Sequence, residues 1–368
     1  MSNDITKNIV SDKILLCSSK KYSLWYKNNN LYYSDSTDEK SRYLTSLNKL
    51  RMKYFRLSNF RIFQRLLRLV PRCGIFIDDT VALISLRGYV IAVNIKNKTI
   101  EIDHKYRQGM NNPLSFTFVA DMANFDEGVY YGEYFGNGNR EEVKIFRRLR
   151  DGKWETAYVY PPNTIKHIHN IVCDKLNNCV YVLTGDDDEQ SGIWRFRNNF
   201  CTVETIKIGS QQYRACFGYP FKQGFFYVTD TPLENNYIYY IKDFDKDPIP
   251  LAEIEGPCIY GARISENLFA FSTSVEPDSR LKGWKYRLSY KRGKGVKSWH
   301  SCIYLGNPEI GFKEVGYGQK DWLPMLLFGF GTFLFPNLDN SYNDGSIVYL
   351  VGNSICKTDG KTMKINTL

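Results

Sequence analysis

His167 and His169 stand one residue apart in TIKHIHNI, alternating with Ile165, Ile168 and Ile171. In an extended strand such residues face the same side, ~7 Å apart at Cα. Two imidazoles so placed can share a divalent metal, carry protons, or flank a sugar. A metal needs at least a third ligand, and Asp186, Asp187, Gln211 and Gln212 are the nearest in sequence. A divalent metal on His167 and His169 is therefore the one cofactor expectation, set against two structural, hydrogen-bonded histidines.

A second cluster lies in GSQQYRA, residues 209–215. Gly209 and Ser210 mark a turn, and a strand beyond it would put Gln212 and Arg214 on one face and Tyr213 on the other. Arginine is the natural bidentate clamp for a carboxylate, and tyrosine is a platform for a pyranose ring. Glu133 and Asp230 have the makings of an acid and nucleophile or base pair of the glycosidase kind. The run DDDE (186–189) lacks the spacing of an EF-hand. There is no P-loop, GxGxxG or GxSxG, so nucleotide-dependent and serine-hydrolase chemistry has nothing to rest on.

What must hold these residues is a repeat. Short apolar strands ending in small or acidic residues are followed by a polar loop and a strand rich in Ile, Tyr and Trp. The instances are 129–146, 180–196 and 225–241, with weaker ones at 268–288 and 332–351. Counterparts Tyr131, Val182, Tyr227 and Ala270 are 43 to 51 residues apart. Residues 74–102 and the first forty residues read as further strand sets. Repeats of ~40–50 residues, each worth about four strands, signify a β-propeller. With 27 Tyr, 23 Phe and six Met, the composition also favours strands. The expectation is an all-β protein: one propeller domain spanning 1–368, of six or seven blades with five as the lower count, its N-terminal strands pairing with C-terminal ones. Radial stacking would bring Glu133, Asp186 and Asp230, at equivalent ends of their repeats, around one mouth.

The charge is uneven. Residues 1–72 carry 15 Lys/Arg against five Asp/Glu, a net +10 that equals the charge of the whole chain. Within it, 51–73 has seven basic residues and no acid. Arg61, Arg65, Arg68 and Arg72 fall on one face of a helix expected over about 51–70, which Pro71 would end. Such a cationic stripe suits a membrane surface or an acidic protein partner through residues 51–72, or it is simply solvated. Nucleic acid is disfavoured, since the rest of the chain balances and carries no nucleic-acid motif. The nine cysteines include no CxxC pair, and the longest apolar run, 322–335, is broken by Pro324, Gly329 and Gly331. Reduced thiols and the lack of a secretory leader point to a cytoplasmic protein, peripheral at the inner face of the membrane if the basic segment docks there.

In FRRLRDGKWETAYVYP (146–161), Asp151-Gly152 and Trp154 on an outer hairpin look like a degenerate Asp-box. With the HIHN…TGDDDEQSGI and GSQQYRA…VTDT phrases, this resembles the sialidase-like (BNR/Asp-box) propellers, relatives of which are encoded among bacterial surface-polysaccharide genes. The resemblance covers about 120–245 and implies contact with an oligo- or polysaccharide, uronate-containing in the lyase case. The Ser/Thr that opens an Asp-box is Arg148 here, and of the sialidase arginine triad and Tyr–Glu pair only Arg214 and Glu133–Tyr134 have counterparts. Polysaccharide lyases of propeller fold use His or Tyr as base and acid and a cation against the uronate, which His167, His169, Tyr213 and Arg214 would suit. The expectation is a carbohydrate-active glycosidase or lyase acting on a surface polysaccharide or its precursor. Its catalytic residues would be His167, His169, Glu133, Asp186 and Asp230, with Gln212, Tyr213, Arg214 and Tyr134 binding substrate. The alternative is a non-catalytic glycan-binding or scaffold propeller.

Overall fold

The computed structural model describes residues 3–36, 38–53, 55–338 and 345–367. The strands form seven sheets arranged as blades, antiparallel except for short parallel edge strands at Asn3–Asp4 and Asn337–Leu338. Blade 1 is Ile14–Ser18, Tyr22–Lys27, Asn30–Asp35 and Arg42–Ser46; blade 2 is Gly74–Phe76, Val81–Leu86, Tyr89–Asn94 and Thr99–Lys105. Blade 3 is Thr117–Val119, Gly128–Gly132, Val143–Arg148 and Trp154–Tyr160; blade 4 is His167–Asp174, Cys179–Gly185, Gly192–Arg197 and Thr202–Ile208. Blade 5 is Ala215–Phe221, Gly224–Thr229, Asn236–Ile241 and Ile249–Ile254; blade 6 is Cys258–Ser265, Leu268–Thr273, His300–Asn307 and Gly311–Gln319. Blade 7 is Thr332–Leu334, Ile347–Asn353 and Thr362–Asn366, completed by Ile9–Ser11 from the other end of the chain. That pairing closes the ring as expected, at the upper blade count.

Apolar residues on both faces of each blade explain the stacking. Blades 3 and 4 share a core of Tyr130, Val143, Ile168, Val182 and Trp194. Blades 4 and 5 share Val172, Leu183, Phe225 and Tyr227, and blades 5 and 6 share Phe217, Phe226, Phe269 and Phe271. A sheet with two apolar faces is stable only between two others, and a ring supplies that to each.

Two local readings differ from the sequence expectation, and a third lies partly outside the described residues. The phrase at 268–288 holds only one strand; KGWKYRL forms the helix α2, and the third strand of blade 6 comes later, at His300–Asn307. Its alternation of aromatic and basic residues imitates a strand, but the buried slot in the blade is taken by the more apolar HSCIYLGN. In the phrase at 332–351, residues 339–344 lie outside the described residues. The expected helix over 51–70 is reduced to α1, Arg61–Leu66, with a 3₁₀ turn at Phe55–Asn59 before it. Phe60 is extended and Arg68 is left-handed, so the chain bends twice where one helix was expected. α1, α2 (Gly283–Leu288) and α3 (Met325–Phe328) pack together as a cap beside one mouth of the ring.

Antiparallel pairing decides what meets at that mouth. His167 lies opposite Gly185, Ala215 opposite Thr229, and Cys258 opposite Thr273. Residues just before each innermost strand and just after each second strand therefore gather on the same face. The Asp151-Gly152 turn, between third and fourth strands, belongs to the other face.

Candidate functional site

The mouth holds a cavity of about 1000 Å³ lined by Arg72, Tyr134, Asp186, Arg214, Asp230 and Glu276, each from the equivalent end of a blade, and by α1, α2 and α3 at the rim. A second cavity of about 1050 Å³ follows the channel towards the opposite face and is bordered by His169 and Cys216. Between the two is the histidine pair.

Both histidines are 3% exposed. His167 Nδ1 is 2.7 Å from the Phe135 carbonyl oxygen, and His169 Nδ1 is 2.9 Å from that of Ala215. A carbonyl only accepts, so each Nδ1 carries a proton, and a ring with that proton alone presents a bare Nε2. These Nε2 atoms lie 3.0 Å apart, and Asp186 Oδ1 is 3.4 Å from one and 3.2 Å from the other. Three acceptors thus converge on one point, which is repulsive unless a cation or a proton lies among them. Ligands on a cation held at ~2.1 Å are separated by ~3.0–3.4 Å along the edges of an octahedron or tetrahedron, which these three distances match. Two imidazoles and a carboxylate suit a borderline divalent ion. Burial lowers the proton affinity of His167, which disfavours the shared-proton solution. The donor set fits a divalent metal.

Asp186 stays ionised. Burial raises its carboxyl, but the guanidinium of Arg214 outweighs this and holds it well below the usual range. Arg214 reaches Asp186 Oδ1 at 3.2 Å and Asp230 Oδ2 at 3.4 Å. Asp230 is also within 3.2 Å of the Cys216 Sγ, and burial raises its carboxyl. Burial, with Asp230 next, likewise pushes Glu276 up to about 8, and Ser274 Oγ donates to it. Glu276, in SVEPD, belongs to no motif, and only its place after the STS end of a repeat signals it. Arg72 sits over the Tyr134 ring at 5.0 Å and bonds to the Tyr260 hydroxyl and the Asn112 carbonyl. Among the described residues no carboxylate faces Arg72. Arg214 Nε and Asp230 Oδ1 are buried without a protein partner.

The ring therefore brings together His167, His169, Asp186, Arg214, Asp230 and Tyr134, and leaves out three others. Glu133 is 1% exposed and turned away from the cavity, tied to Arg107 at 3.1 Å and the Lys144 amide at 2.9 Å, because its neighbour Tyr134 takes the inward direction. Gln212 and Tyr213 do not line the mouth either. Gln211–Tyr213 is a 3₁₀ turn capped by Ser210, and in such a turn residues three apart share a face. Gln211 and Arg214 consequently point together: both reach the Asp186 carbonyl, at 2.8 and 3.3 Å. Tyr213 packs instead in the core between blades 4 and 5. Of the arginine stripe, Arg65 is 7% exposed and paired with Asp321, while Arg61 is paired with Asp359 at 2.6 Å. Those two pin α1 to the ring and are not a free cationic face. Arg68 bonds the Leu326 carbonyl, and Arg72 belongs to the cavity.

No protein-family model matches the chain, and no curated protein matches it. Solved structures do. An oligogalacturonate lyase from Vibrio parahaemolyticus superposes with a TM-score of 0.55 at 9% identity, covering 100% of this chain and 90% of the other. Regucalcin from Agrobacterium tumefaciens, a calcium-binding protein, gives 0.45 at 9% identity, covering 72% and 84%. The extracellular domain of a hybrid two-component system from B. thetaiotaomicron gives 0.49 at 11%, covering 99% of this chain and 39% of that one. What the lyase likeness shows is the seven-bladed ring.

Proposed function

We propose that the cavity binds a uronate-containing oligosaccharide and that the protein cleaves it by β-elimination. The observation that carries this reading is Arg72, a guanidinium that lines the cavity with no carboxylate facing it, beside Arg214, whose guanidinium is shared between Asp186 and Asp230. Such donors recognise a carboxylate bidentately. The fold shared with an oligogalacturonate lyase makes uronate oligosaccharides the first substrates to try.

Elimination transfers the proton α to the uronate carboxylate to a base, for which the ionised form of Asp230, a cavity residue whose Oδ1 has no protein partner, is available; the electron pair forms a C=C bond and the neighbouring C–O bond breaks, its oxygen taking up a proton. A divalent cation held by His167 Nε2, His169 Nε2 and Asp186 Oδ1 would supply positive charge that acidifies the α-proton. Arg72 and Arg214 orient the carboxylate. Glu276 carries its proton at neutral pH, and burial keeps the Tyr134 phenol protonated, so either supplies a proton to the leaving oxygen. The histidines, with both nitrogens engaged, suit holding a cation better than moving protons.

The second reading is a glycan-binding propeller without turnover, favoured by that same engagement of the imidazoles. Incubating the protein with uronate oligosaccharides and neutral counterparts, with a divalent cation or a chelator, separates the two. Ultraviolet absorbance from an unsaturated product, dependent on the cation, is expected. New reducing ends without absorbance would mean hydrolysis, binding without product the second reading, and no binding the failure of both.

A further inference from the structure

Residues 280–299, RLKGWKYRLSYKRGKGVKSW, contain eight Lys/Arg and no Asp or Glu. They are the greater part of the insertion 274–299 between the second and third strands of blade 6, whose beginning carries Glu276 and Asp278, and α2 lies within them. The base of the insertion is firmly held. Gly293 and Gly295 press on the Pro232 and Glu234 carbonyls so closely that a Cβ would lie 2.1 and 1.8 Å from them. Tyr290 stacks on Trp299 at 4.2 Å, and its hydroxyl donates to the Asp321 carbonyl at 2.7 Å.

The outer side is different. Trp284 is 69% exposed, Leu288 56% and Trp322 78%, with Phe60 just before α1 and Ile62 and Leu66 on it also exposed. Arg280 and Lys291 are paired with Asp278, and Lys297 with Glu253. Among the described residues, Lys282, Lys285, Arg287 and Lys294 face no carboxylate, and all four are exposed. Large apolar tips on α2, on α1 and in the segments just before α1 and α3, among cations that face no carboxylate, are unusual for a free surface.

We propose that this cap docks on an anionic lipid bilayer, with Trp284, Leu288 and Trp322 entering the interface and Lys282, Lys285, Arg287 and Lys294 against the headgroups. Tryptophan favours that depth, and exposed cations are drawn to acidic headgroups. A bilayer is preferred to a protein because exposed tryptophans stand among cations that face no carboxylate, the combination an anionic interface draws in. Among the described residues no helix is long and apolar enough to cross a membrane, so the contact is peripheral. Since α1, α2 and α3 also rim the cavity, docking turns the mouth towards the bilayer. This surface is independent of the glycan reading.

The full chain is sedimented with vesicles of phosphatidylcholine alone or mixed with phosphatidylglycerol, alongside Trp284→Ala/Trp322→Ala and Lys282→Ala/Lys285→Ala/Arg287→Ala variants. All these side chains are exposed, and circular dichroism checks that the fold is kept. Binding is expected only with phosphatidylglycerol, weakening with salt and by ~tenfold or more in each variant. Equal binding to both vesicles, no binding, or binding indifferent to both variants would overturn the proposal. So would self-association in solution that the tryptophan variant abolishes, which would make a second copy the occupant. Turnover or binding of soluble glycan by these variants reports on the other reading separately.

Discussion

Gly185 lies directly beneath the His169 ring: a Cβ there would come within 2.5 Å of the imidazole Cε1. The two residues sit on adjacent strands of blade 4, so neither can retreat without disturbing the ladder. Gly185→Ala should displace His169 from Asp186 and weaken divalent-ion binding strongly, at a stability cost of ~1–3 kcal/mol. Metal titration beside a urea melt checks it. Unaltered metal affinity would mean the ring is not held as described.

Glu276 gives a pH dependence of definite sign. Its proton affinity is raised on folding, from an ordinary 4.5 to about 8. The folded state then holds a proton that the unfolded state releases, so its contribution to stability is complete below about 4.5 and lost as pH rises through about 8. Each tenfold in proton affinity is worth ~1.4 kcal/mol, so the decline across this window amounts to a few kcal/mol. Glu276→Gln should flatten the decline, measured by urea melts at several pH values.

Arg72 offers donors to an anion and has no carboxylate partner among the described residues. Arg72→Ala should weaken binding of a uronate oligosaccharide by ~10–100-fold, the worth of a charge-assisted hydrogen bond or two. Binding of the neutral counterpart should change little. Calorimetry on both sugars makes the comparison, and equal losses would count against a carboxylate clamp.

Arg65 is buried between Asp321 and Asp359 and also donates to the Phe328 carbonyl. Arg65→Ala leaves two acids without it and should cost ~3 kcal/mol or more. The effect should concentrate in the cap, appearing as faster hydrogen exchange at 325–330 than in the blades.

The ring was legible because its cause is local and repeated: alternating apolar strands of nearly constant spacing, ending in GEY, TGDDD, VTDT and STS. From that alone, His167, His169, Asp186, Arg214 and Asp230 could be expected at one mouth. Direction of side chains was harder. Glu133 and Tyr134 are neighbours, so only one faces the cavity, and a strand reading of GSQQYRA chose Gln212 where a 3₁₀ turn presents Gln211. Glu276 depends on burial among residues distant in sequence, which no motif records. The basic insertion at 280–299 escaped notice because the charge of 73–368 sums to zero, and a balanced total conceals a local excess.

At the heart of the account are three converging acceptors, the buried His167 Nε2 and His169 Nε2 and the half-buried Asp186 Oδ1, sharing one cation. Isothermal titration of Mn²⁺ and Zn²⁺ into chelator-treated protein tests this directly. The account predicts one bound ion per chain, with affinity reduced at least ~tenfold in His169→Ala and in Asp186→Asn. No bound ion, or an ion held equally well by both variants, would contradict it.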